Sequence, residues 1–173
     1  MNPFHWSFRA QFLLGFAGCA ATLAYVVYTQ LYQGLDPCPL CIFQRIAYAA
    51  LALVFLAGAL HAPRGAGGRR VYGLLVALAT LVGAGIAGRH VWVQMQPAGA
   101  APSCGPPLSF LQETMGPMEL VRKVLTGTGD CGTVDWTLFG LSMPAWSLAW
   151  VVVLGSWGIL AALRRRKGRG HRL

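Results

Sequence analysis

The chain has 173 residues, of which 55% are hydrophobic and only 11% charged, and it carries a formal net charge of +9. A soluble domain has roughly 25% charged residues, so this composition, with a mean hydropathy of +0.53, excludes an ordinary soluble globule. The apolar residues gather into four stretches, 12–28, 42–60, 71–88 and 145–163. Each is near the roughly 17–25 residues that a helix needs to cross a bilayer. Backbone polar groups in lipid must be paired within their own segment, which makes such runs helical. The expected fold is an all-α integral membrane protein, with residues 1–173 forming one four-transmembrane-helix bundle.

Met1–Ala10 is a short lead into the first span. Gly15-Phe16-Ala17-Gly18-Cys19 has the look of a lipoprotein cleavage site, but the apolar run continues through Ala20, Ala21, Leu23, Ala24, Val26 and Val27. A cleaved signal ends its apolar region near the cut, so a retained span is expected. Cys19 then reads as a small buried hydrophobe.

Residues 29–41 form the first short loop, which leads into Cys38-Pro39-Leu40-Cys41-Ile42-Phe43-Gln44-Arg45. Asp36 and Pro37 give a helix-start signal, a capping residue followed by proline in the first turn. Cys41 should therefore lie in the first turn of the second span. Backbone N–H groups at a helix start and a nearby cation both favour a thiolate, which is the reactive form. Arg45 follows Cys41 by four residues, so helical spacing sets the two on one face. His61–Arg70, rich in glycine and interrupted by proline, reads as a tight loop back into the membrane.

In the third span Ala79, Gly83 and Ala87 repeat every fourth residue, as do Gly73, Ala77 and Gly85 at multiples of four, a spacing that lets membrane helices approach closely. The span ends in Gly88-Arg89-His90-Val91-Trp92-Val93-Gln94, where Trp92 suits the interfacial zone. His90 should share the membrane depth of Cys41 and Arg45. It is either a solvated or capping histidine, or a hydrogen-bond donor and proton carrier for a bound cofactor.

Residues 89–144 form the long second loop. Pro97, Pro102, Pro106 and Pro107 surround Cys104 and exclude regular helix there. Leu108–Leu125 alternates apolar and charged residues around Gly116-Pro117, which predicts one or two short amphipathic helices lying on the membrane plane. Gly127, Gly129, Gly132 and Gly140 make a flexible return carrying Cys131, and Met143-Pro144-Ala145-Trp146 opens the last span.

Charge sets the orientation. Ten of the fourteen Lys and Arg lie at the N-terminus, in the 61–70 loop and at the C-terminus, with no acid among them; the other side has four cations against five acids. Positive loops stay in the cytosol, so both termini are expected to be cytoplasmic. The basic C-terminal tail then reads as a topology signal or an anionic-lipid anchor, with no nucleic acid as partner.

Cys38, Cys41, Cys104 and Cys131 all fall on the external side by this reckoning. Three readings compete for them. Four cysteines can bind zinc, but the second pair lacks Cys-x-x-Cys spacing, so no metal is expected. Two inert disulfides would suit Cys104 and Cys131, where a bridge would close a long loop. They suit Cys-x-x-Cys badly, because its tiny loop gains little entropy and its position favours a reactive thiolate. Redox catalysis fits better, with electrons leaving at the bilayer surface to a lipid-soluble acceptor.

These residues resemble the DsbB family of bacterial disulfide-bond formation proteins. The likeness runs over nearly the whole chain: the Cys38–Arg45 motif, Arg89–Gln94, the Cys104/Cys131 loop, and Gly140-Leu141-Ser142-Met143-Pro144-Ala145-Trp146-Ser147. It implies a multi-pass protein of the bacterial inner membrane that reoxidises a periplasmic DsbA-type dithiol oxidase and passes the electrons to a quinone, ubiquinone or menaquinone. By that likeness reduced DsbA attacks Cys104, and the freed Cys131 attacks Cys38 and releases Cys41 as a thiolate. Two electrons then pass to quinone as Cys38–Cys41 re-forms. Arg45 matches the arginine that supports the thiolate–quinone contact, and His90 a residue near the quinone. Gly116-Pro117 departs from the family pattern and would break or displace the loop helix. The vitamin K epoxide reductase family also uses Cys-x-x-Cys, but late in the chain, whereas here it opens the second span. A non-enzymatic scaffold would instead hold two bridges that resist mild reductant.

Overall fold

The structure, a computed structural model, describes residues 6–33, 37–96, 116 and 137–164. Within them the chain forms four long helices: α1 (Phe8–Gln33), α2 (Pro39–His61), α3 (Ala66–Gln94) and α4 (Met143–Leu163). All four are long and apolar enough to cross a membrane. A two-stranded hairpin, β1 (Thr137–Leu138) and β2 (Leu141–Ser142), leads into α4. Its register pairs Thr137 with Ser142 and Leu138 with Leu141. The two turn residues, Phe139 and Gly140, both have positive φ (52° and 77°), which matches the twist a tight hairpin needs. The amphipathic helix expected over 108–125 lies outside the described residues, as do Cys104, Cys131 and Pro117.

The helices overrun the apolar stretches that located them. Residues 29–33 continue α1 where a loop was expected, because nothing from Thr29 to Gln33 breaks a helix before Gly34. Residues 66–70 already belong to α3, which shortens the expected 61–70 loop to 62–65. The C-cap of α2, Ala62, takes a left-handed conformation (φ 40°) and returns its N–H to the Gly58 carbonyl just before Pro63. At its other end α3 runs six residues past Gly88, so Arg89–Gln94 is helix and not loop. With 29 residues α3 is ~43 Å long against a hydrocarbon core of ~30 Å, so its ends stand clear of the lipid. Hydropathy marks what the lipid touches; helix ends answer to caps and breakers.

Each helix packs on its chain neighbour, and α4 also meets α1, closing an antiparallel bundle. The core runs from Phe12 and Cys19 through Tyr48, Leu51, Phe55 and Val76 to Val151 and Leu154. Cys19 is fully buried there, in keeping with a packing role. Large apolar residues such as Leu53, Leu74, Leu81, Val82 and Val153 face outward, as a lipid-facing surface requires.

Close approach depends on small residues. A Cβ on Gly73 would stand 3.0 Å from Ala162, and one on Gly83 3.1 Å from Val151. Gly85, counted in the same small-residue repeat, is exposed with nothing near it. Gly73, Gly83 and Ala87 are buried and Ala79 packs against the core, so the repeat forms an interface there but not at Gly85.

Two polar ends frame the bundle. At one, Arg69 donates to the Ala161 carbonyl (2.8 Å) in the last turn of α4, while its guanidinium carbon lies 4.9 Å over the Phe8 ring. Trp157 Nε1 donates to the Gln11 carbonyl (3.0 Å) at the same end. At the other end Tyr48 donates to the Ser147 carbonyl (2.8 Å), and Ser142 Oγ donates to Gln94 Oε1 (2.7 Å), tying the hairpin to the end of α3.

Candidate redox site

The Cys-x-x-Cys begins α2, but two residues later than Asp36-Pro37 signals. Cys38 is the N-cap, with extended backbone (φ −65°, ψ 163°), and Pro39 takes the first helical turn. Either proline could have opened the helix. The one that does so follows Cys38, whose sulfur takes up one of the exposed N–H groups of the first turn. Cys38 Sγ accepts from the Cys41 N–H at 3.4 Å, and the Cys38 carbonyl accepts from Ile42 N–H at 3.2 Å. One helical turn thus brings the sulfurs together, with Cys38 Sγ and Cys41 Sγ 3.2 Å apart. That is within reach of a disulfide, whose bond is about 2.05 Å.

The long α3 supplies the third member. Because helix continues to Gln94, His90 faces the bundle and is only 2% exposed. Its Nε2 lies 3.7 Å from Cys38 Sγ. Its Nδ1 is 3.1 Å from Gln44 Nε2, on the second turn of α2. Leu40 and Val93 pack against each other beside the pair, together with part of Phe43, and form an apolar wall.

Arg45 sits one turn beyond Cys41, as the spacing requires, but its guanidinium reaches across to α1. Nη1 donates to Gln30 Oε1 (2.6 Å) and Nη2 to the Val26 carbonyl (3.2 Å). The basic side chain shown against the thiol pair is therefore His90, and the cation expected there is anchored on the neighbouring helix. The structure thus gathers Cys38, Cys41 and His90 at one end of the bundle.

Sequence reasoning did not single out Gln44 or Gln30. The signal was available for Gln44: an amide one turn into an apolar span must find a partner. Gln30, near the end of α1, carried no comparable mark.

Two thiols and an imidazole whose donor atoms all lie within 4.8 Å of one another are also a set that a thiophilic cation accepts, but only with both thiols reduced. The same closeness lets the two sulfurs bond to each other, and that dithiol–disulfide change is the chemistry the site most directly supports.

The fold and this site define a four-helix, multi-pass membrane protein with a thiol pair at the head of its second helix. Comparison with known proteins places it further. The family model for disulfide bond formation protein DsbB matches residues 8–161. A disulfide bond formation protein B of Xanthomonas campestris pv. campestris is 64% identical over 169 residues, 98% of each chain. One from Xanthomonas euvesicatoria pv. vesicatoria is 64% identical over 171 residues, 99% of each chain. One from Xylella fastidiosa is 56% identical over 169 residues, covering 96% of this chain and 98% of the relative. The chain belongs to the DsbB family of membrane disulfide bond formation proteins.

Proposed function

We propose that this protein is a quinone-dependent protein-dithiol oxidase of the bacterial inner membrane. It reoxidises a periplasmic DsbA-type thiol oxidase, supporting disulfide formation in exported proteins, and hands the electrons to ubiquinone or menaquinone. The observation that carries this reading is the juxtaposition of Cys38 and Cys41 at a helix start with a buried histidine against the pair. Charge asymmetry supports an orientation with both termini in the cytosol and the four cysteines in the periplasm.

The relay balances as thiol–disulfide exchange. A thiolate of the reduced partner attacks the Cys104–Cys131 disulfide at Cys104, and Cys131 leaves as a thiolate. Cys131 attacks Cys38, forming Cys38–Cys131, breaking Cys38–Cys41 and expelling Cys41 as a thiolate. The partner's second thiol closes its own disulfide and frees Cys104, which reclaims Cys131 and frees Cys38. Cys38 then re-bonds Cys41 as the pair gives up two electrons.

A bound quinone supplies the two-electron acceptor. Its ring carbonyls need hydrogen-bond donors: the Arg45 guanidinium has five N–H groups, of which two go to Gln30 and Val26, and the single N–H of a neutral His90 would be shared between the quinone and Cys38 Sγ, so the residues present fit such a group. His90 and Arg45 are the residues assigned to hold it.

The test is to trap the relay at its first covalent step. Replacing Cys131 with Ser removes the sulfur that carries electrons inward. Cells expressing this variant are expected to accumulate a reductant-sensitive adduct between Cys104 and a soluble periplasmic protein with a Cys-x-x-Cys site, identified by mass spectrometry. An adduct that survives Cys104→Ser, or a cytoplasmic partner, would contradict the assignment.

A further inference from the structure

The further inference concerns Gln44 and rests on the redox reading of the thiol pair. Gln44 is 7% exposed and His90 2%, and they come from different helices of the bundle. Two buried polar side chains in an apolar setting persist only when each satisfies the other. The amide nitrogen of Gln44 faces His90 Nδ1 at 3.1 Å. An amide nitrogen has no lone pair to offer, so it donates, and Nδ1 must accept. A neutral imidazole has one donor and one acceptor; with Nδ1 accepting, the ring proton is on Nε2. That nitrogen is the one 3.7 Å from Cys38 Sγ.

We propose that Gln44 is a positioning residue: by donating to His90 Nδ1 it holds the ring proton on Nε2, aimed at the Cys38 sulfur. Cys38 then has two donors facing it, this N–H and the backbone N–H of Cys41. A donor that is already oriented stabilises negative charge as it builds on sulfur, without waiting for solvent to reorganise. Leu40, fully buried, and Val93, nearly so, keep the contact dry, which strengthens it. Cys38 is the sulfur that is attacked, released and re-bonded in the relay, so the tautomer of a histidine on α3 is set by an amide on α2 for the benefit of a cysteine at the helix start.

The test reads the tautomer directly, in the full-length protein with nitrogen-15-labelled histidine in detergent micelles. His90 resonances are identified by their loss in His90→Asn. The native protein is expected to show the two-bond proton–nitrogen pattern of an Nε2-protonated neutral ring. Gln44→Glu keeps the shape but presents only acceptors to Nδ1, and is expected to move a proton onto Nδ1. A second readout follows Cys38 alkylation by iodoacetamide in reduced protein lacking Cys41, Cys104 and Cys131. Gln44→Leu is expected to slow it about three- to tenfold, the loss of one modest hydrogen bond. An Nδ1-protonated ring in the native protein, or an unchanged nitrogen pattern in Gln44→Glu, overturns the proposal. So does Cys38 alkylation at the native rate in Gln44→Leu. Neither readout involves quinone or a protein partner, so failure here leaves the redox reading standing, and failure of that reading leaves the tautomer measurable.

Discussion

Cys41→Ser is expected to lower quinone-coupled oxidation of a DsbA-type dithiol by roughly 10³-fold or more, the scale seen when a covalent participant is removed from a catalytic unit. Serine is close in size, so the start of α2 should keep its shape, with Cys38 still capping it and Pro39 in its first turn. What disappears is the second sulfur of the pair that lies 3.2 Å from Cys38. Without it Cys38 cannot close an internal disulfide, and the pair has no two electrons to give up. Exchange at Cys104 and Cys131 does not need Cys41 and should persist, visible as one round of mixed-disulfide formation with no turnover. The measurement is the steady-state loss of quinone absorbance with reduced thiol oxidase as donor. Retention of near-native turnover would remove Cys41 from the mechanism.

Gly58→Ala is expected to destabilise the bundle by about 1–3 kcal/mol, the usual cost of overpacking a well-filled core. The sign is the informative part, because Gly to Ala inside a helix normally gains up to about 1 kcal/mol from propensity. At Gly58 the new Cβ would stand 2.5 Å from Phe12 Cδ1 and 3.1 Å from Tyr72 Cδ1. Phe12 has nowhere to go: its ring stacks on Phe8 at 4.1 Å and meets Phe55 edge-on at 5.3 Å. Gly85 is the control, since nothing lies within 4 Å of its added Cβ. Gly85→Ala should be neutral or slightly stabilising. Thermal unfolding of both variants in the same detergent separates packing from propensity; a Gly58→Ala protein as stable as Gly85→Ala would show that the aromatic cluster yields freely.

The four spans were legible because lipid imposes a rule that composition alone reveals: long apolar runs must be helices. The cysteine motif was legible because its spacing fits one helical turn, whatever surrounds it. Which proline opens α2 was not, since Pro37 and Pro39 offer the same signal and only the cap hydrogen bond to Cys38 distinguishes them. The direction of Arg45 was not legible either. Spacing along α2 placed its backbone near Cys41, but its guanidinium answers to Gln30 and Val26 on another helix. His90 stood undecided between a solvated and a site residue because that depends on whether α3 ends before it. The helix continues past it and turns it inward against Gln44 and Cys38. Properties carried by one segment were readable; those carried by contacts between segments were not.

The measurement that bears most directly on the proposed function counts electrons. Purified protein, reduced DsbA-type oxidase and a soluble quinone analogue are mixed, and thiol loss is followed together with quinone reduction. The account expects one quinone reduced for each dithiol oxidised, with thiol loss stopping after the protein's own disulfides are spent when quinone is withheld. Sustained thiol oxidation without quinone, or no oxidation with it, would contradict the account.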